Sequence, residues 1–291
     1  MFRRLVSHGC RNLTEHISSI SRQPIERGGF GIIYRGRLGD GTLVAIKLLS
    51  QRGRVSSRSK CKLAKRASLE SYSWSKCNHP SIHELLGVAR YRGHIAMISP
   101  WMEFGSLPKY ISRHPDVDRL QLAHQTAIGL AYLHLSGTVH GDLKGSNVLV
   151  SANGVAKLTD FGSTKLREHT LRFTTTTSCD SFSVRYTAPE VIEGGPQTMQ
   201  SDVYALGMTI LEIVTGEIPY SNVKVEAAVL YKILRGELPP RPNNQHLSSN
   251  SAGDKLWSLI AVCWSTKPSD RPDSAAIRDQ LEIMAIEARR T

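Results

Sequence analysis

The chain has 291 residues, 40% of them hydrophobic and 21% charged, with 37 Lys and Arg against 25 Asp and Glu for a net charge of +12. That apolar content can bury a sizeable core and excludes a disordered or collagen-like chain, and no apolar run reaches the ~18 residues needed to span a bilayer. Five cysteines (Cys10, Cys61, Cys77, Cys179 and Cys263) are odd in number, widely spaced and without a C-x-x-C pair, which excludes a disulfide framework and favours reduced thiols.

Residues 1–19 read as an N-terminal extension. Their basic start, Met1–Val6, lacks the apolar stretch of a signal peptide, and a cytoplasmic location is expected. A short helix over Leu13–Ile20 is the one element expected here. From Ile25 to Gly36 glycines alternate with β-prone residues. A turn at Gly39-Asp40-Gly41 follows, and then an apolar strand, Thr42–Lys47, that ends in a lysine. Glycines in such a hairpin let backbone N–H groups approach phosphates, because no Cβ blocks the way.

Arg52, Arg54, Arg58, Lys60, Lys62, Lys65 and Arg66 fall within fifteen residues without an acid. No aromatics interleave with them, so no base-stacking platform is formed and no nucleic acid partner is expected. The run reads as a solvated face, with docking of a partner protein as the rival reading. A helix is expected over about 62–77, ended by His79-Pro80. Within it Glu70 is the only carboxylate between Asp40 and Glu84, which makes it the candidate partner of Lys47. Leu85–Val88 and His94–Ile98 read as two further strands. Ser99–Leu107 then breaks the strand with Pro100 and Gly105.

Leu120, Ala123, Ala127, Leu130, Ala131 and His134 recur at helical spacing, ending at Gly137. The helix delivers the chain to Val139–Val150, where Asp142, Lys144 and Asn147 lie on one loop between apolar β-branched runs, and Asp160-Phe161-Gly162 comes thirteen residues beyond Asn147. Phosphoryl transfer needs such a set: a carboxylate for the hydroxyl proton, a cation for the migrating group, and oxygen ligands for Mg²⁺. A long polar stretch, Ser163–Ser183, carries Thr174–Thr177 and ends at Arg185–Glu190. Ser201–Val214 is the most apolar helical segment, and Asp270-Arg271-Pro272 follows late.

Taken in order, these residues resemble a eukaryotic protein kinase domain, H-R-D-L-K-x-x-N, D-F-G and A-P-E included. They are most similar to the tyrosine-kinase-like serine/threonine group, with Val139–Asn147 worded as in fungal members. The resemblance implies an α+β, two-lobed fold: a small antiparallel sheet lobe with one helix (20–101), a hinge (102–106), a mainly helical lobe (107–287) and a tail (288–291). It implies ATP and Mg²⁺ as cofactors and a protein substrate with a serine or threonine hydroxyl. By position, Asp142 would be the catalytic base and Lys144 would neutralise the γ-phosphate. Asn147 and Asp160 would hold Mg²⁺, Lys47 would grip the α- and β-phosphates, and Glu70 would orient Lys47. Gly28, Gly29, Phe30, Gly31, Ile33 and Ala45 would complete the nucleotide site. There Ser99 would back the adenine pocket, with the Pro100 carbonyl and the Met102 N–H meeting the adenine edge.

Asp202 would hold the catalytic loop, His140 would pack it, Arg271 would pair with Glu190, and Ser183 would touch base and lysine. The sequence departs from the family pattern twice. Glu26 stands where the lid has its first glycine, and Gly141 stands where the catalytic loop has its arginine. Glu26 supports an alternative reading, a pseudokinase acting as a nucleotide-binding scaffold.

Overall fold

The computed structural model describes residues 2–28, 31–48, 71–72, 74–160, 165–166, 183–244, 246–247 and 250–290. They form two compact units that divide between Glu103 and Phe104.

Alternation of side chains builds the first unit. Strands β1 (Ile17–Ile20), β2 (Glu26–Gly28), β3 (Gly31–Leu38), β4 (Leu43–Leu48), β5 (Gly87–Tyr91) and β6 (His94–Pro100) make one antiparallel sheet, ordered β1-β3-β4-β6-β5 with β2 also on β3. In β4, Val44, Ile46 and Leu48 point into a core with Leu13, Tyr34, Ala89, Ala96 and Ile98. The period of two sends Ala45 and Lys47 to the other face. Residues 71–72 and 74–75 are helical. The helix expected to run to Cys77 stops short of it, with Lys76 in a turn, and residues 62–70, Glu70 among them, lie outside the described residues together with the rest of the basic run.

Two expectations fail here. The chain at 13–20 is not a helix: Thr14–His16 is a single 3-10 turn, and Ile17–Ile20 pairs with β3. Extending the sheet edge satisfies backbone groups that a short isolated helix would leave open. A helix does form earlier, α1 at Phe2–Ser7. The strand expected to break at Ser99 instead runs through Pro100, which pairs with Val44. Because β5 starts at Gly87 opposite Ile98, the missing N–H of Pro100 faces no strand.

The second unit is helical. A small sheet of β7 (Gly105–Ser106), β9 (Val148–Val150) and β10 (Ala156–Leu158) accompanies α2 (Leu107–Arg113) and α3 (Arg119–Leu135). Strand β8 (Thr138–Val139) pairs with Lys165–Leu166. Then come α4 (Pro189–Ile192), α5 (Met199–Thr215), α6 (Glu226–Leu234), α7 (Ser251–Cys263) and α8 (Ser274–Ala288). Asp118 caps α3 through Gln121 N, and Thr198 and Ser201 cap α5 reciprocally. Helix α5 is buried from Ser201 to Val214 and packs on both α3 and α7, so it is the axis of this unit. Apart from Ser201, Asp202, Thr209 and Glu212, the buried stretch is apolar, as a helix enclosed on all sides requires.

Candidate active site

Helix α3 ends where Gly137 takes a φ of +70°, which turns the chain into β8 and the loop after it. That loop is hung on Asp202, 2% exposed in the first turn of α5. Its Oδ2 accepts the backbone N–H of His140 at 2.7 Å, and its Oδ1 accepts that of Gly141 at 2.8 Å. His134 Nε2 lies 3.0 Å from Oδ2, with Ser274 Oγ 2.8 Å from its Nδ1. A helix N-terminus and three hydrogen-bond partners suit a buried carboxylate. Gly141 has a φ of +78°, a conformation that a residue without Cβ adopts freely.

His140 is fully buried. Its Nε2 faces the Thr159 carbonyl at 3.1 Å and therefore carries the proton, which leaves Nδ1 to accept from Asp142 N at 3.3 Å. The ring props the loop, as the sequence reading expected. Asn147 Nδ2 donates to the Asp142 carbonyl at 2.7 Å and to Asp142 Oδ2 at 3.0 Å. Lys144 Nζ sits 2.9 Å from Asp142 Oδ2 and donates to Ser183 Oγ at 2.6 Å. Thr159 N donates to the Asn147 carbonyl at 2.9 Å, which brings Asp160 beside the loop. Asp160 has a φ of +71°, unusual for a residue with a Cβ and a feature that clusters at functional sites. The structure thus assembles Asp142, Lys144, Asn147 and Ser183, with the backbone of Asp160 next to the loop.

In the first unit the register aligns a second set. Glu26, Ile33, Lys47 and Met97 form one cross-strand row, and Arg35, Ala45 and Ser99 the next row on the same face. Gly28 pairs with Gly31, whose φ is +142°, and closes the hairpin. Ser99 and Met102 are buried, and Pro100 is partly exposed. Gly29, Phe30 and Glu70 lie outside the described residues.

Comparison with known proteins decides what this arrangement belongs to. The family described as protein tyrosine and serine/threonine kinase matches residues 20–281. The chain belongs to the protein kinase family. The kinase is 30% identical to serine/threonine-protein kinase STY46 of Arabidopsis thaliana over 90% of this chain and 44% of that protein. To mitogen-activated protein kinase kinase kinase 1 of the same plant it is 33% identical, over 88% and 40%. To tyrosine-protein kinase Btk of Drosophila melanogaster it is 29% identical, over 89% and 31%. It therefore spans less than half the length of each of these relatives. The two units are the curled antiparallel sheet lobe and the helical lobe of the kinase fold, and the relatives agree with the tyrosine-kinase-like group.

Kinases of this family use ATP with Mg²⁺. The donor set fits that ion. Mg²⁺ takes hard oxygen ligands, one or two from protein and the rest from phosphates and water. With Asn147 Nδ2 committed to Asp142, Oδ1 is the amide atom left to face an ion, and Asp160, beside the loop, would add a carboxylate. Among the described residues no group of three or more His, Cys, Asp or Glu converges, so an all-protein cage is not what this site offers.

Sequence reading missed three contributors. Glu212, 4% exposed in mid-α5, accepts Gly145 N at 2.9 Å and Tyr186 Oη at 2.8 Å, both on Oε2. Burial raises its pKa, opposed by those two hydrogen bonds and by Lys144. Gln197 Nε2 donates to the Gly141 carbonyl. Arg185 spends its guanidinium on the carbonyls of Pro219, Tyr220 and Val223 and on Glu226. An acid inside an apolar helix was the visible signal for Glu212, while the other two left none. Arg271 does pair with Glu190, through two bonds of 2.7 and 2.9 Å.

Proposed function

We propose that this kinase transfers the γ-phosphate of MgATP to serine or threonine hydroxyls of protein substrates, acting in the cytoplasm in intracellular signalling. The observation that carries the hydroxyl specificity is Lys144 Nζ, held between Asp142 Oδ2 at 2.9 Å and Ser183 Oγ at 2.6 Å. A cation fixed beside the base offsets charge on the migrating phosphoryl group without reorganising at the moment of transfer. The small hydroxyl of Ser183 completes the contact that the resemblance assigns to serine/threonine enzymes.

In this reading Asp142 orients and deprotonates the substrate hydroxyl, a role that needs the carboxylate at a fixed position. Asn147 holds that carboxylate from one side and Lys144 from the other. Asn147 and Asp160 hold Mg²⁺, which when bound neutralises phosphate charge. Lys47 holds the α- and β-phosphates, Glu70 orients Lys47, and Gly28, Gly29, Phe30, Gly31, Ile33, Ala45, Ser99, Pro100 and Met102 seat the nucleotide. Among the described residues no helix is long and apolar enough to cross a membrane.

The test is phosphate transfer from ATP to the chain itself and to a generic protein, followed by phosphoamino-acid analysis. Phosphoserine and phosphothreonine are expected. Phosphotyrosine alone would reject the specificity. The second reading, a pseudokinase scaffold, is favoured by Glu26 on the Lys47 row; ATP binding without any transfer would establish it.

A further inference from the structure

Residues 2–13 lie before the segment that the family matches, and nothing in the proposed mechanism uses them. They are nevertheless built into the first unit. Helix α1 has six residues, too few to persist alone, so packing must hold it. Phe2 and Leu5, one turn apart, are buried with Cys10 against Val88, and Tyr72 and Ile95 pack on the same cluster. Arg90 lies over the Phe2 ring at 4.9 Å, and His8 meets the edge of Tyr72 at 5.8 Å. Cys10 Sγ is 4.0 Å from the Ser71 carbonyl. Beyond α1 the chain bonds to β5 through Leu13 N to Val88 O at 2.9 Å and Val88 N to Arg11 O at 2.8 Å. A Cβ on Gly87 would overlap the Arg11 carbonyl, so glycine is what lets the segment lie this close.

The face on which this happens gives it meaning. Register places Met97 opposite Lys47, Val88 opposite Met97, and Ile95 two residues before Met97, so all four side chains lie on one side of the sheet. The segment, the helical residues Ser71 and Tyr72, and Lys47 therefore share that side. Ser71 directly follows Glu70 in the chain.

We propose that residues 2–13 are a positioning strap, which holds the helical residues 71–72 and 74–75 against β5 and β6 and through them governs whether Glu70 can serve as the partner of Lys47. The proposal rests on Glu70 as the partner of Lys47. The strap does not touch nucleotide. It restricts the helix to one of the positions open to it, and competence for ATP follows the fraction of molecules with the strap docked. The simpler role, covering the open edge of β5, would protect that strand without governing the helix.

Leu5→Ala loosens the strap from within, and Gly87→Ala expels it from the other side. Each is compared with the parent in ATP kinetics and in hydrogen exchange. If the docked fraction drops to about a tenth, kcat/KM for ATP falls about tenfold. Exchange at 71–76 rises with it, and a synthetic peptide of residues 1–13 restores both in a chain lacking them. Phe2→Leu, which keeps the apolar contact, should stay near the parent, whereas Phe2→Ala should not. Unchanged kinetics in folded variants, or faster exchange confined to 87–91, would overturn the proposal. Should a variant fail to fold, the Phe2→Leu and Phe2→Ala pair decides in its place. An inactive parent would sink the kinase reading, yet exchange at 71–76 would still decide whether the strap governs the helix.

Discussion

The backbone N–H of Gly145 donates to Glu212 Oε2 at 2.9 Å, across 67 positions of sequence. The loop that carries Asp142 and Asn147 is thereby tied to the axis of the helical unit at a second point, Asp202 being the first. A carboxylate buried in an apolar helix resists ionisation, and the pKa of Glu212 is raised above the ordinary 4.5 by burial. A group with a raised folded pKa stabilises fully below its unfolded value, and that contribution is lost as pH rises through the folded value. Glutamine does not titrate, and because both bonds land on Oε2 its amide oxygen can accept both. The parent should therefore lose stability relative to Glu212→Gln as pH rises from 4.5 upward. Melting curves of both proteins across that range check it, and parallel curves would contradict it. Gly145→Ala puts a methyl into the carboxylate and should cost about 1–3 kcal/mol at any pH.

In the proposed mechanism Asp142 and Asp160 divide the chemistry. Asp142 is tied to Lys144 and Asn147 and is assigned to the substrate hydroxyl, whereas Asp160 is assigned to the metal. Asp142→Asn should remove most transfer, about 10²–10⁴-fold, and leave MgATP affinity near that of the parent. Asp160→Asn should lose both binding and turnover. Calorimetric titration with MgATP beside a transfer assay separates the two, and equal loss of binding in both variants would refute the division.

Glu26 shares its cross-strand row with Lys47. Two strand spacings separate them, about 10 Å between backbones, near enough for a carboxylate to compete with phosphate for the ammonium or to repel the nucleotide. Glu26→Gly should tighten ATP binding modestly, by about two- to fivefold, with kcat little altered. Weaker binding on titration would mean that Glu26 supports the hairpin more than it burdens the nucleotide.

Residues whose chemistry sits in short strings were legible before the fold was seen. Asp142, Lys144, Asn147 and Asp160 are such residues, and so is Lys47 at the end of an apolar strand. Contacts settled by distant packing were not. Nothing in the sequence shows that the Arg185 guanidinium is consumed by carbonyls 34 to 38 positions away. Ile17–Ile20 had a helical look, yet an open edge of β3 decided its conformation. The strap left no motif, because its apolar pair, Phe2 and Leu5, gains meaning only against Val88 and Tyr72.

Gly141 bears on regulation. In kinases with an arginine at that position, a phosphate on the activation loop pairs with it and orders the loop. Gly141 offers no side-chain donor; its N–H is taken by Asp202 and its carbonyl by Gln197. Arg185, the arginine that follows the polar stretch Ser163–Ser183, is held by three carbonyls and Glu226. Arg167 and Arg172, the arginines within the stretch itself, lie outside the described residues, as do Thr174–Thr177. A phosphate on that threonine run therefore lacks the usual partner. The positioned loop also owes its order to Asp202 and Glu212, neither of which responds to phosphate. The variant with Thr174–Thr177 replaced together by alanine, fully dephosphorylated, should keep activity within a few-fold of the phosphorylated parent, since Gly141 supplies no side-chain donor for a phosphate on that run. A fall of about a hundredfold, equivalent to nearly 3 kcal/mol of transition-state stabilisation, would show that a loop phosphate finds a strong partner after all. Arg167→Ala and Arg172→Ala would then identify which arginine supplies it.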